Sequence, residues 1–509
     1  MGQYTIKDIQ DQAELLKTDV QSIYRSLYTK FGVFPKSLDQ VPYYIITKLY
    51  PSPTKEPLTI TPEREKYEIT TPENVKYDPI IVEPVTSAID SNIQPKNIKE
   101  GVSILGVTGT LSDGGPGGSG TFIVPSDMKF AYSTFTELPS YLDFRNVTDM
   151  NHMFYYCTNL TTISQIDTTN VTDMSYLFNE CLMLTTIPQL VTTNVQNMNS
   201  MFGNCGILTT IPQMDTTNVQ DMSGMFSGCT NLVDVPQLVT TNVQGMNYMF
   251  LGCSSLTTIP QMDTTNVGSM VEMFLGCSSL TTIPQLNTSN VISMKDMFNG
   301  CEKLQNIPLL DTSNVQSMEG MFSKCSTLTT IPQLNTSNVI SMRDMFMGCT
   351  NLTTIPQLDM SYVDSMEDMF YDCSNLQSVP QLNTIMAINM NYLFNSCINL
   401  ETVEGIDFSG LTSGPAYIFG YTSSMPKLTR FIVNGQINVS LPADSGIQAL
   451  TAIDYDSVKS ILTAASNTDN TNAKELAFNR TMTDQNGELA ALVASCTSKG
   501  WTISGLTLQ

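Results

Sequence analysis

Residues 205–229 read CGILTTIPQMDTTNVQDMSGMFSGC, a stretch that opens and closes on cysteine 24 residues apart. The interval recurs in both directions. Cys157, Cys181, Cys205, Cys229, Cys253, Cys277, Cys301, Cys325, Cys349, Cys373 and Cys397 form one arithmetic series, eleven of the twelve cysteines in 509 residues. A Phe precedes each by three residues, from Phe154 to Phe394, and a Met by seven, from Met150 to Met390. A Leu follows each by three, from Leu160 to Leu400. A fixed period of this size is the mark of stacked coils, because one unit alone cannot cover its own apolar side.

Within the unit, Val219, Met222, Met225, Phe226 and Cys229 stand at offsets 0, 3, 6, 7 and 10. That spacing predicts one face of a short helix, capped by Thr216 or Thr217 and ended by Gly228. Leu232, Val235 and Leu238 predict a short parallel strand, with Pro236, which has no N–H, at its end or edge. The expected fold is therefore an α/β repeat solenoid, strand, polar turn and short helix in each 24-residue coil, about eleven coils over residues 121–412. The column Asn146, Asn170, Asn194, Asn218, Asn242, Asn266, Asn290, Asn314 and Asn338 is expected to turn inward and bond backbone of adjacent coils. It breaks at Tyr362 and Met386, which predicts irregular last coils.

These residues resemble the BspA-like leucine-rich repeats, a branch of the Treponema-type class. The matching motifs are C-x-x-L-x-x-I, as in Cys253-Ser254-Ser255-Leu256-Thr257-Thr258-Ile259, and T-S/T-N-V-x-x-M-x-x-M-F-x-G-C, recurring across residues 140–410. SKGWTIS at 498–504 also resembles the closing segment of such proteins. The resemblance implies a solenoid and surface adhesion, on secreted or lipid-anchored bacterial surface proteins, and does not imply an enzyme.

Outside the repeats the chain changes character. In residues 1–50, Ile6, Ile9, Ala13, Leu16, Val20, Ile23 and Leu27 alternate spacings of 3 and 4. This is either an oligomerising coiled-coil seam, with a trimer favoured, or a helix packed on the apolar run 41–50 in a small domain of its own. Seven prolines between Pro51 and Pro84 predict a semi-rigid stalk over 51–90. NIQPKNIKEGVSILGVTGTL at 92–111, inside a small β module at 91–113, resembles a module common in bacteriophage virion and tail-associated proteins. GGPGGSG at 114–120 predicts a hinge. Residues 413–509 predict an αβ cap on the exposed last coil. In it, a type I′ hairpin is expected at Asn434-Gly435, helices at 454–465 and 486–496, and strands at 476–478 and 501–503 that extend the parallel sheet.

Charge narrows the partners. With 24 Lys and Arg against 47 Asp and Glu, the net charge is −23, so duplex DNA is repelled. The start, MGQYTIKDIQDQAELLKTDVQ, shows no leader peptide, and no apolar run is long enough to cross a membrane. The single histidine, His152, has no nucleophile motif beside it, and no Cys-x-x-Cys points to zinc. No cofactor and no metal are expected. The cysteine column reads as buried, reduced thiols acting as small hydrophobes.

Surface columns offer recognition instead. Thr186, Thr210, Thr258, Thr282, Thr330 and Thr354 with Gln189, Gln213, Gln237, Gln261, Gln285, Gln333 and Gln357 form a grid of hydroxyls and amides. It either bonds saccharides or peptides or satisfies itself along the stack. Tyr155, Tyr156, Tyr176, Tyr248, Tyr371 and Tyr392 offer stacking surfaces for sugars. Asp167, Asp215, Asp263, Asp311 and Asp359 alternate with Val or Asn, which lessens like-charge repulsion or provides calcium ligands. The order of modules predicts a phage virion fibre or decoration protein, on head or tail, held to virion proteins by its N-terminal region and binding a host-surface glycan or protein through the solenoid. The alternatives are a bacterial surface adhesin and a glycan-degrading enzyme with paired carboxylates.

Overall fold

The computed structural model describes residues 122–411, 417–420, 425–441, 452–468 and 474–509, with four two-residue strands ahead of them. Residues 1–85 and 86–509 are two separate units. In the first, β1 (Tyr67–Glu68) pairs antiparallel with β2 (Ile81–Val82). In the second, β3 (Ser103–Ile104) and β4 (Val107–Thr108) form an antiparallel pair. The heptad residues Ile6 to Leu27 and the hinge 114–120 lie outside the described residues.

From Phe122 to Leu400 the chain winds as 24-residue coils. The solenoid is confirmed and its local structure is not the one expected: no coil contains a helix. Val219, Met222, Met225, Phe226 and Cys229 are all fully buried, but they sit at the corners of successive tight turns. The N–H groups of Met225 and Cys229 donate back to the carbonyls of Met222 and Phe226 at 3.1 and 3.0 Å. The third residues of these turns, Gly224 and Gly228, have φ of +63° and +73°, the signature of type II turns. Gly228 therefore belongs to a turn and ends no helix. Turns of four residues repeat the helical spacing of 3 and 4, which is why the apolar pattern imitates a helix.

The remaining N–H groups point along the stack. Met222, Gly224, Phe226 and Gly228 donate to Gly245, Asn247, Met249 and Leu251 of the next coil at 2.9, 2.8, 3.0 and 2.6 Å. A row of parallel single bridges marks the same side, from Asp149 through Asp173, Asn197 and Asp221 to Gly245. The coils thus satisfy their backbone between neighbours, as a parallel sheet does.

The strand expected at Leu232–Leu238 is also absent. Proline recurs there in each coil, from Pro188 to Pro380, and removes the donor a ladder needs. Only β7 (Ser378–Val379) forms, immediately before Pro380. One coil later Glu404 replaces proline, and β8 (Thr402–Phe408) runs seven residues, parallel to β7. Near the start, β5 (Phe122–Ile123) pairs parallel with β6 (Leu142–Asp143).

The core is built of side-chain columns. The Phe rings from Phe154 to Phe394 stack with centroids 5.5–5.9 Å apart. Each solenoid cysteine is buried, and its thiol donates to a Phe carbonyl of the preceding coil, as Cys229 Sγ does to Phe202 O at 3.1 Å. Burial pushes these thiols up, to about 12 for Cys229 and Cys277.

The asparagine column is on the outside. Asn218 is exposed, and its amide donates to Thr193 O of the preceding coil at 2.7 Å. The residue that turns inward is its neighbour Thr216, whose hydroxyl donates to Val239 O and accepts Val239 N–H, both at 2.8 Å. Thr216 bridges two coils and caps no helix. Because the asparagines are peripheral ties, their loss at Tyr362 and Met386 does not disturb the stack. Ser365 still bridges Asn389, and Phe370 still stacks on Phe394.

The end is capped by conventional elements. β9 (Arg430–Ile437) lies parallel to β8. Asn434-Gly435 is inside β9 at an irregularity in register, not in a hairpin. Gly435 has φ +68°, and a Cβ there would strike the Asp407 carboxylate. The chain returns instead through α1 (Tyr455–Ser466), where Asp454 accepts the Ser457 N–H at 2.8 Å. Val458, Ile461, Leu462 and Ala465 are its buried face. Ser457 and Ser460 accept the Phe431 and Val433 N–H groups at 2.9 and 3.1 Å, which covers donors that a further coil would have taken. β10 (Glu475–Met482), α2 (Glu488–Ser498) and β11 (Thr502–Leu508) form a parallel βαβ unit. It joins the stack through a parallel bridge from Leu441 to Leu476.

A candidate binding face

The side of the coils that carries the proline column also carries the Gln and Asp columns. Between Gln261 and Asn335 it opens into a groove of about 1020 Å³. Its rim is Gln261, Gln285 and Gln333 on one side and Asp263, Asn287, Asp311 and Asn335 on the other. A second groove of about 520 Å³ shares Gln333 and Asn335 and continues past Gln357, Asp359 and Asn383. The two are one surface trough crossing several coils, and no Lys or Arg lines either part.

The expected grid divides here. All its residues are exposed. Gln261, Gln285, Gln333 and Gln357 line the trough, Gln189, Gln213 and Gln237 occupy the same column ahead of it, and none of the six threonines reaches it. The glutamines also bond one another's coils. Gln261 Nε2 donates to its neighbour Met262 O at 3.1 Å and to Gln285 O of the next coil at 2.7 Å. Gln333 and Gln357 repeat the pair of bonds. Their amide hydrogens are consumed in the stack, while among the described residues no bond to their Oε1 atoms is formed. The trough therefore offers acceptors.

The aspartates add charge. Asp263, Asp311 and Asp359 each accept the backbone N–H two residues on at 3.0 Å, and the hydroxyls of Thr265, Ser313 and Ser361 at 2.7, 2.7 and 2.6 Å. These hydroxyls, then the backbone bonds, hold all three carboxyls below the usual carboxylate range. Asp167 and Asp215 are lowered by the same kind of turn. Among the described residues Asp263, Asp311 and Asp359 form no ion pair, and no three carboxylate, Cys or His groups converge as a metal site.

Two features of this face escaped the sequence reading. Leu309 takes the glutamine place in its coil and stands 66% exposed on the trough. The signal was the missing Gln between Gln285 and Gln333. Buried Thr264, Thr288 and Thr312 stitch the wall from within, each donating to the next coil at 2.7–2.8 Å.

The tyrosines gather elsewhere. Tyr155, Tyr156 and Tyr176 cluster with Tyr132 and His152 at the first coils. His152 lies parallel to Tyr176 with centroids 4.5 Å apart, and Tyr132 packs on Tyr155 and Tyr156 at 5.5 and 5.4 Å. Burial pushes the Tyr155 phenol up to about 12. Tyr248, Tyr371 and Tyr392 stand apart from this group in later coils. On the same side, Asp344 and Asp368 occupy equivalent places in successive coils. Burial first, and neighbouring carboxylates after it, raise Asp368 to about 6. Lys295–Glu319 at 3.0 Å and Arg343–Glu367 at 3.4 Å form charge pairs between coils beside them.

Among solved structures, the chain is similar to a leucine-rich repeat protein from Eubacterium ventriosum, at 17% identity and TM-score 0.32 over 53% of this chain and 77% of that one. It is also similar to the T. pallidum leucine-rich repeat protein, at 17% identity and TM-score 0.19 over 47% of this chain and 77% of that one. No curated protein sequence matches it. The family described as "Mycoplasma protein of unknown function, DUF285" matches residues 126–234, 207–309, 246–353 and 303–405, a run of overlapping windows over the coils. These windows take in more than half of the chain, which therefore belongs to that family.

Proposed function

We propose that the chain is a non-catalytic binding protein whose solenoid holds an extended glycan or protein ligand in the trough between Gln261 and Asn383. The trough itself carries this reading: it crosses several coils, exposes Leu309, and presents a line of acceptors without any cation. A rigid wall suits such a role, because its polar groups are fixed by bonds between coils before any ligand arrives. The test is to compare the full chain with its Leu309→Arg variant against arrays of host-surface glycans and proteins. The reading expects ligands that the wild-type chain holds and the variant loses. Full retention of every ligand by the variant overturns it.

The place of display is the finer part of the proposal. The BspA-like resemblance of the repeats supports adhesion at a bacterial surface. Assembly into a virion fibre, as a homo-oligomer joined through residues 1–50, rests on the segment at 92–111. Surface labelling of intact cells and mass spectrometry of purified particles separate the two: the chain is found on the one and absent from the other.

A further inference from the structure

We propose that the trough binds a basic stretch of polypeptide, bearing lysine or arginine and extended across the coils. This rests on the reading of the trough as a binding face and names the partner's chemistry.

Hydrogen-bond polarity leads there. Gln261, Gln285, Gln333 and Gln357 each give their amide to two main-chain carbonyls, one in their own coil and one in the next. Two carbonyl partners admit only an N–H donor, so each amide is fixed in orientation and its Oε1 is left over. The amides of Asn287 and Asn383 are spent on the hydroxyls of Thr265 and Ser361. Among the described residues, the Asn335 amide is the one exposed side-chain donor of the trough without a bond. Ammonium and guanidinium groups are donors with no acceptor, and they match a wall of spare acceptors. A glycan's hydroxyls need donors in return, and this wall has almost none to give.

Charge points the same way. Asp263, Asp311 and Asp359 form no ion pair among the described residues, and no Lys or Arg lines the trough. The cations that these coils do carry, Lys295 and Arg343, are paired with Glu319 and Glu367 on the tyrosine side. The carboxylates of the trough are thus left for a cation from outside.

Size and shape select a chain over a small polyamine. The two parts of the trough, about 1020 and 520 Å³, together exceed the roughly 300–1,000 Å³ of a small-ligand site. Leu309, 66% exposed, offers contact to an apolar side chain or to the aliphatic stem of a lysine or arginine. The spare Asn335 amide meets a main-chain carbonyl, a group that a polyamine lacks.

The test uses the full chain at about 0.15 M ionic strength. The probes are short fluorescent peptides of lysine, arginine, leucine and serine in varied order, and a matched set with glutamine in place of every cation. The variant D263N/D311N removes two carboxylates from the trough and keeps its turns, because Asn287 and Asn335 already accept the same backbone bonds at 3.2 and 3.1 Å. The control D167N/D215N removes the same charge from the same column ahead of the trough, where both aspartates accept the equivalent N–H at 3.0 Å. The basic peptides are expected to bind and the glutamine set not to. D263N/D311N should weaken binding at least about tenfold, and D167N/D215N should leave it unchanged. Equal weakening by the two variants, or full affinity in D263N/D311N, overturns the proposal, since attraction to the net charge of −23 would then suffice. Spermine binding as tightly as the peptides overturns it in favour of a small polycation, and preference for a neutral oligosaccharide overturns it in favour of a glycan. If no peptide binds while Leu309→Arg still loses a natural ligand, the partner chemistry is wrong and the trough reading stands.

Discussion

The coils that carry the proline column, from Pro188 to Pro380, and the end from Thr402 to Leu508, where that column has stopped, stack in one parallel order by different means. In the coils, backbone bonds run from turn to turn between neighbours, and proline holds one side free of strands. At the end, where Glu404 replaces proline, seven- and eight-residue strands form, and helices return the chain. The lesson is that stacking and secondary structure are separable. A 24-residue period demands only that the N–H groups the turns leave over meet acceptors one coil away.

The largest effect is expected from the shared core. Phe274→Ala removes one ring from a column whose neighbours lie 5.6 Å to either side. It should cost about 3–5 kcal/mol, and chemical denaturation should show the two flanks of the solenoid unfolding separately. A single unchanged transition would break the comparison.

Next comes the internal stitch. Thr312→Val deprives Asn335 of both the donor to its carbonyl and the acceptor of its N–H, each at 2.8 Å. A loss of about 1–3 kcal/mol is expected. Thermal unfolding of Thr312→Val measures this directly.

Two glycines sharpen the contrast further. Gly228 and Gly487 have similar φ, +73° and +70°. A Cβ at Gly228 meets Asn204, backbone included, whereas at Gly487 in the cap nothing lies within 4 Å. Gly228→Ala should cost about 1–3 kcal/mol, and Gly487→Ala no more than about 1–2. Equal losses in urea titrations would mean that neighbouring coils are looser than described.

The smallest effect concerns pH. Asp368 is raised to about 6 in the fold, so it favours the folded state in acid, and that contribution fades as pH rises through about 6. Asp368→Asn should raise the unfolding temperature at pH 7.5 and change it little at pH 4. The aspartates of the trough have lowered values and act in the opposite sense, losing their contribution as pH falls through the acid range.

Much of this was legible in the sequence. The cysteine interval gives the coils, the Phe column gives the core, and the face of α1 follows from Val458, Ile461, Leu462 and Ala465. The helix in each coil was misread because turns every three or four residues, as at Met222–Met225 and Phe226–Cys229, place apolar side chains at helical offsets. Gly224 and Gly228, four apart, were the local sign of turns, but Ser200, Tyr248 and Glu272 take the place of Gly224 in other coils at equally positive φ and conceal it. The proline column was read as a strand's edge when its recurrence removes the strand. The alternation of Asp with Asn was visible as a pattern. Its meaning needed the trough, which depends on which side of each coil the prolines hold open. Thr312 and Asn314 are two polar residues apart by one, and nothing local says which of them turns inward.

Native thiol labelling tests the inward-facing core most directly. The folded chain, treated with excess iodoacetamide at pH 8 and read by mass spectrometry, should leave all eleven solenoid cysteines unmodified, and all should react once it is denatured. Rapid modification of Cys229, Cys277 or their equivalents in the folded chain would contradict the arrangement on which the coils, the trough and its proposed ligand depend.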